Sequence, residues 1–332
     1  MSAPLRLVFM GSDALALPVL NALADSPDSP ATIVGVYTQP DRPHGRGQKL
    51  EPGAIKLWAK SRGLPVYQPE KLGPEDAARV RNELHADATL VMAYGLLLKD
   101  DMLGAPRLGT FNVHTSVLPR FRGASPVTTA VASGLDETGV SFMRLVRRLD
   151  AGPVGDCERV AIGPRDTSAD VTAKLSAAAV PLVTRCLRAL AVGSLAFREQ
   201  DESLATFCRR LSKADGVLDF THPARELASR INGLFPWPGC SVEIGGVVVK
   251  LGLAVADCEG GTGSPGEILG SDGESVIVAT GSGVLRLIRL QRPGGRMLAA
   301  PDFLRGFPLE PGATLPSTPM PVLEAREPFP RV

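Results

Sequence analysis

Cysteine is scarce and scattered. The five thiols, Cys157, Cys186, Cys208, Cys240 and Cys258, are odd in number and contain no C-x-x-C pair. That disfavours both a disulfide framework and a structural zinc site, and predicts buried free thiols. Charge of one sign is also missing. A formal net charge of +1 means that a polyanionic partner must be held by a local patch and not by a generally basic surface. No apolar run reaches the roughly 18 residues that a membrane helix needs. The first ten residues pass from a short polar lead into Leu5-Arg6-Leu7-Val8-Phe9, without the charged, apolar and cleavage regions of a signal peptide, so a cytoplasmic protein is expected. There is no internal repeat, no G-x-S-x-G elbow and no H-E-x-x-H, and His44, His85 and His222 share no ligand spacing. Serine-hydrolase and zinc-protease readings therefore lack their residues, and no metal is expected. Gly261 to Gly266 matches G-x-G-x-x-G literally. It lies among short strand-like runs, contains Pro265 and has no helix after it to offer a phosphate-binding N-terminus.

What is present falls into two textures. At 332 residues two hydrophobic cores are the natural expectation. The first part alternates strand-like and helix-like periods. Strands are expected at Leu5 to Phe9, Thr32 to Thr38, Ala88 to Ala93, Thr110 to His114, Gly139 to Val146 and Glu158 to Ile162. Helices are expected at Ala14 to Ala24, Ala54 to Arg62, Asp76 to His85, Pro126 to Ser133 and Ser168 to Ala191. Such alternation predicts an α/β fold with a mostly parallel sheet, whose ligands sit beyond the carboxyl ends of the strands. Charged Arg198 to Glu202 reads as linker. From Leu211 onward, after one helix at Ala224 to Asn232, short β-rich runs take over at Ser241 to Ile244, Val247 to Leu253, Ser275 to Ala279 and Val284 to Leu290. Glycine turns separate them, and they predict a small barrel or sandwich. The Pro-rich stretch after Pro311 is expected to be a surface extension. Trp58 and Trp237 are read as packing residues.

Asn112 and His114 lie two apart on a predicted strand, so their side chains emerge on one face, an amide donor beside a titratable ring. Asp150, at the end of another predicted strand, could orient His114 or titrate with it; Asp before Ala-Gly-Pro is equally good turn chemistry. Charge is concentrated between Gln39 and Gly63. Arg42, Arg46, Lys49, Lys56, Lys60 and Arg62 there face only Asp41 and Glu51. Mobile cations in such a loop can neutralise phosphates without reading base sequence.

Asn112, His114, the run Ser116-Val117-Leu118-Pro119-Arg120-Phe121-Arg122-Gly123-Ala124-Ser125-Pro126 and then Leu149-Asp150-Ala151-Gly152 together resemble the signature of folate-dependent formyltransferases. The likeness extends to Phe9-Met10-Gly11-Ser12, Tyr37 to Leu50, Val91 to Leu98, Leu211 to Gly216 and Pro236-Trp237-Pro238-Gly239, which is similar to the branch acting on methionyl-tRNA. The resemblance implies a Rossmann-like catalytic domain over residues 1–191, a linker over 192–210 and a C-terminal OB-like tRNA-binding domain over 211–332. It also implies 10-formyltetrahydrofolate as donor and initiator methionyl-tRNA as acceptor.

By the same resemblance Asn112, His114 and Asp150 are the catalytic trio. Ser116, Val117, Leu118 and Pro119 contact folate, and Met92, Ala93, Tyr94, Gly95 and Leu96 line the pterin pocket. Arg42, Arg46 and Lys49 become the candidates for tRNA contact, with Arg120 and Arg122 as weaker ones. Which of His114 and Asp150 removes the amine proton stays open, because the two would titrate as a pair. Thr115, Val117 and Ala151 depart from the family's usual Gly, Leu and Thr, which touches the folate loop more than the reaction class. Transfer to an amino sugar nucleotide is the competing enzymatic reading. A non-catalytic tRNA-binding protein is the competing reading from another class.

Overall fold

In the computed structural model, residues 3–44, 49–258 and 263–330 are described. The chain divides into two compact units. The first holds residues 1–122, 139–160 and 173–205; the second holds 123–138, 161–172 and 206–332. In chain order the elements up to the long helix are β1 (Leu5–Gly11), α1 (Leu17–Asp25), β2 (Ala31–Tyr37), β3 (Arg42–His44), β4 (Lys49–Glu51), α2 (Ala54–Ser61), β5 (Val66–Tyr67), α3 (Pro74–Ala78), β6 (Ala88–Met92), α4 (Asp100–Leu103), β7 (Thr110–His114), β8 (Arg122–Gly123), α5 (Pro126–Ala132), β9 (Glu137–Arg144), β10 (Val154–Ala161) and α6 (Ser168–Ala191).

The first unit is built on a seven-stranded sheet ordered β10-β9-β7-β6-β1-β2-β5. The pairs β1–β2, β1–β6, β2–β5 and β6–β7 are parallel, and β9 runs antiparallel to β7. The mostly parallel sheet expected from the alternating periods is therefore present. Central strands covered on both faces require apolar residues at nearly every position. Every residue of β6 is buried, and in β1 only Arg6 is not. On one face Val8, Met10 and Val91 pack with Ala77, Val80 and Met102. Phe111 stacks between Phe142 and Phe197 at centroid separations of 5.2 and 5.8 Å, and the Arg144 guanidinium lies over both Phe111 and Phe197.

Two helices depart from the expected bounds for local reasons. The segment Ala14–Ala16 is a 3-10 turn whose entry is capped by Asp13, and α1 proper begins only with Pro18 in its first turn. Proline lacks an N–H and is accommodated where that donor has no helical acceptor. Pro74 opens α3 in the same way, with Asp76 accepting the Gly73 N–H, so this helix starts two residues earlier than the periodicity suggests and then passes into a π turn at Arg79–Glu83.

The second unit continues with β11 (Phe207–Cys208), α7 (Ala224–Leu234), β12 (Cys240–Ile244), β13 (Val247–Asp257), β14 (Ile268–Ser271), β15 (Val276–Ala279), β16 (Val284–Gln291), β17 (Leu298–Ala299), α8 (Ala300–Gly306) and β18 (Glu324–Ala325). An antiparallel sheet ordered β12-β13-β16-β15-β14, with β17 added on β16, forms a half-barrel where a small barrel or sandwich is expected. Its core gathers Phe220, Leu227, Ile231, Val249, Leu251, Leu285, Leu287 and Phe303. At an irregularity in β13 the Asn232 side chain both donates to the Ala254 carbonyl and accepts from its N–H, at 2.9 Å each, which satisfies a buried peptide the ladder leaves open.

The Pro-rich stretch after Pro311 does not extend from the surface. Leu315 and Leu323 are buried in the core, the Leu315 N–H donates to the Gly266 carbonyl, and β18 pairs antiparallel with β11. Isolated apolar anchors among prolines carry no periodicity, which is why the sequence hides this packing. Trp237 is 55% exposed and therefore not a packing residue. Trp58 is half-buried and donates to Asn21. Of the five free thiols, Cys186, Cys208 and Cys240 are buried, whereas Cys157 is half-buried and Cys258 exposed. Gly261 and Thr262, in the discounted glycine motif, lie outside the described residues.

Candidate active site

Strand β7 carries the two central side chains. Asn112 pairs with Val91 on one side and Met143 on the other, and His114 lies opposite Ser141 on β9. The two-residue period puts both on one face of the pleat. Asn112 is half-buried, and among the described residues its side-chain amide makes no protein hydrogen bond. His114 is buried, with Nε2 2.9 Å from the Phe121 carbonyl oxygen. A carbonyl can only accept, so Nε2 carries the proton and the Nδ1 lone pair is left for other work. Nδ1 lies 3.8 Å from Asp150 Oδ2, too far for a hydrogen bond but within ion-pair reach once the ring is protonated.

Asp150 is buried and adopts a φ of +48°, in the left-handed region, where Asp is among the few residues other than glycine that fit. Two residues on, Gly152 presses against β9, and a Cβ there would collide with the Arg144 carbonyl oxygen. The Arg144 N–H donates to the Pro153 carbonyl at 3.0 Å, closing the loop on itself. The sequence Asp-Ala-Gly-Pro is thus turn chemistry and, at the same time, the device that delivers a carboxylate beside His114.

Around this pair two loops leave adjacent strands. After β7, Ser116 donates to the Arg120 carbonyl at 2.6 Å, and Ser141 clamps the loop by donating to the Ser116 carbonyl and accepting from the Leu118 N–H. Leu118 is buried, while Val117 and Pro119 are half-buried. Sequence reading missed Ser141, since a lone serine inside an apolar strand gives no pattern.

After β6, Met92 and Tyr94 are buried, Ala93 and Gly95 have φ of +51° and +79° and are exposed, and Leu96 is half-buried. This bend is fastened from behind. Ser12 N–H donates to the Ala93 carbonyl, Gln39 Nε2 donates to the Tyr94 carbonyl, and Ser12 Oγ accepts from the Gln39 N–H. A Cβ on Gly11 would sit 2.5 Å from the Met92 carbonyl oxygen, so only glycine permits the approach. Burial pushes the Tyr94 phenol well above its ordinary range, leaving it a neutral wall and not an acid or base.

Within the basic segment β3 and β4 pair antiparallel, and Lys56 and Lys60 lie on α2. Arg42 pairs with Glu51 and His44 with Lys49 across β3 and β4, and Arg42 is exposed. Arg46 lies outside the described residues. Lys56 is held by Asp41 at 2.5 Å, and its hydrogen bond together with that of Gln68 lowers the Asp41 carboxyl. Arg62 is tied to Asp25 and lies over Trp58. Arg122 is 1% exposed and bonded to Glu202 and Gln200, which excludes it as an RNA contact; Arg120 lies over Phe121. Among the described residues no group of His, Cys, Asp and Glu could hold a metal ion, and no helix is long and apolar enough to cross a membrane.

Two family models match this chain: one described as formyl transferase over residues 5–187, the other as formyl transferase, C-terminal domain, over residues 210–308. A methionyl-tRNA formyltransferase of Parvibaculum lavamentivorans is 40% identical over 313 residues, covering 94% of this chain and 100% of that protein. One from Pseudomonas putida is 43% identical over 298 residues, covering 90% and 94% respectively. Among solved structures, an N-formyltransferase of Helicobacter canadensis in complex with folinic acid and dTDP-3-aminofucose aligns with a TM-score of 0.64 at 15% identity, covering 85% of this chain and 99% of that one. HypX from Aquifex aeolicus in complex with tetrahydrofolic acid aligns with a TM-score of 0.60 at 14% identity, covering 95% and 51%. At those identities the two structures share the fold.

Proposed function

The chain belongs to the methionyl-tRNA formyltransferase family, and on that premise we infer that it moves the formyl group of 10-formyltetrahydrofolate to the free amino group of initiator methionyl-tRNA. The product is N-formylmethionyl-tRNA for translation initiation, made in the cytoplasm. The observation that carries the reading is the grouping on β7 and the Asp150 turn: a half-buried amide with no protein partner among the described residues, a buried ring nitrogen with its lone pair free, and a buried carboxylate 3.8 Å from that nitrogen.

Formyl transfer asks three things of a protein. The attacking amine must lose a proton, the oxygen of the formyl group must be stabilised as charge builds on it, and the departing folate nitrogen must gain a proton. The His114–Asp150 pair takes up the amine proton and returns it to the leaving nitrogen, with Asp150 stabilising the imidazolium in between. Asn112 donates its amide to the developing oxyanion. The loops carrying Ser116, Val117, Leu118 and Pro119 and Met92, Ala93, Tyr94, Gly95 and Leu96 leave neighbouring parallel strands, and their apolar side chains and open backbone suit a flat heterocycle with polar edges. Those residues hold the folate.

Residues 1–191 serve as catalytic domain and 211–332 as tRNA-binding domain, joined by 192–210, a division that the extents of the two matching families support. The hairpin of β3 and β4, with Arg42, Arg46 and Lys49, reaches the tRNA backbone. Arg42→Ala is expected to weaken initiator tRNA binding and to lower the slope of log K against log salt by roughly 0.7–0.9, the contribution of one released counterion. At saturating tRNA its turnover should match the parent protein. An unchanged slope would remove Arg42 from the phosphate contacts.

The direct test supplies labelled 10-formyltetrahydrofolate to the purified protein with methionyl initiator tRNA and, in parallel, amino sugar nucleotides. Label on the aminoacyl-tRNA alone establishes the reading. Label only on a sugar amine would keep the chemistry and overturn the acceptor.

A further inference from the structure

The backbone of the Asp150 turn is gripped from a distant part of the chain. The Gln200 amide nitrogen donates to two carbonyls at once, that of Asp150 at 2.8 Å and that of Gly152 at 2.7 Å. Its amide oxygen accepts from Arg122 Nε at 3.1 Å and Nη2 at 2.9 Å. Arg122 in turn carries the other half of the brace. Buried to 1% exposure, it forms hydrogen bonds to both Glu202 carboxylate oxygens, at 3.0 and 2.9 Å. Arg148, inside the loop that leads to Asp150, reaches the same carboxylate at 2.6 Å. The hydrogen bonds from Arg122 and then Arg148 hold the Glu202 carboxyl down to about 2.

The segment bearing Gln200 is itself seated in the first unit. Phe197 stacks on Phe111, and Arg198 exchanges backbone hydrogen bonds with Val154 at 2.8 and 2.9 Å. A segment that composition marks as linker is therefore fixed to β7 through Phe197 and to β10 through Arg198.

Only a glutamine side chain meets this arrangement as drawn. The two carbonyls need two N–H donors, and the guanidinium needs an acceptor facing the other way, which a primary amide supplies on one carbon. One of the two carbonyls belongs to Asp150 itself, the residue with the left-handed backbone, whose side-chain direction depends on that backbone being held.

We infer that Gln200, braced by Arg122, is a positioning residue for the reaction: it fixes the Asp150 turn so that the carboxylate faces His114 Nδ1. The inference rests on the assignment of Asp150 to the chemistry given above.

Gln200→Glu separates the two halves of the contact. It keeps the acceptor for Arg122, so the segment stays docked, but removes both donors to the turn. The expected result is a loss of at least about tenfold in kcat with KM for tRNA and folate nearly unchanged, because a misplaced catalytic group lowers the transition-state term alone, while the thermal midpoint falls as two buried carbonyls lose their donor. Gln200→Met, similar in length and uncharged, should show the same kcat-only loss, which excludes the new carboxylate as its cause. If Gln200→Met does not fold, the first variant alone decides. In the background of Asp150→Asn, Gln200→Glu should cost little further, since both changes act through one group.

Wild-type kcat in Gln200→Glu, or a loss that falls on KM with kcat kept, overturns the inference. Full activity in Asp150→Asn would instead overturn the assignment of Asp150. A dead Asp150→Asn beside a fully active Gln200→Glu would refute the positioning role alone.

Discussion

His114→Ala loses roughly 10²–10⁴-fold in the rate of formyl transfer, the range that one positioned acid–base group commands, while initiator tRNA binding is largely kept. The geometry supplies the reason for so large an effect. The ring is buried and its Nε2 is committed to the Phe121 carbonyl, so Nδ1 faces Asp150 with its lone pair free. Nothing else on β7 can accept a proton, for Asn112 is neutral and non-titrating. The substitution also strands the Phe121 carbonyl, a buried acceptor whose lost partner costs about 1–3 kcal/mol. Single-turnover kinetics with preformed ternary complex should therefore be read beside a thermal melt. A folded variant with unchanged single-turnover rate would remove His114 from the reaction.

Asn112→Ala is expected to lose about 10²–10³-fold in kcat, the measure of a single oxyanion donor. Its side-chain amide makes no protein hydrogen bond among the described residues, so its removal strands no buried partner and should leave the melting temperature almost unaltered. That contrast with His114 is itself a test. A kinetic loss matched by a thermal loss would point to a structural role for the amide. A loss confined to kcat, with KM for both substrates kept, is what an interaction formed only in the transition state produces.

The parts of this site that lie on regular elements were legible in the sequence. Thr110–His114 is a strand with the bounds its residues suggest, because Asn112 and His114 alternate with buried Phe111 and Val113. The helix Ser168–Ala191 likewise keeps its expected ends, although Pro181 lies inside it. A three-to-four-residue period marks the helix, and a two-residue alternation of apolar and polar residues marks β7, although Thr110 and His114 are buried there too.

What escaped was not periodic. The clamp of Ser141 on the Ser116 loop, the double donation of Gln200 to Asp150 and Gly152, and the burial of Arg122 against Glu202 join residues far apart in sequence. Polar residues of this kind read locally as surface or linker. Arg122 looked like a cation for RNA because nothing near it in sequence reveals the carboxylate that neutralises it. The hairpin at Arg42–Glu51 escaped for a different reason: its strands are three residues long, and Pro and Gly punctuation there signals a loop equally well.

The pairing of β18 with β11 has a consequence in time as well as in space. Phe207–Cys208 opens the continuous part of the second unit and Glu324–Ala325 comes near its end. A ribosome making the chain exports the first strand long before its partner, so the edge of β11 must wait with unpaired peptide groups while the sheet of β12 to β16 forms. The later stretch anchored by Leu315 and Leu323 then completes the core of the unit. A chain that stops short of Leu323 would lack β18 and leave that edge of β11 unpaired.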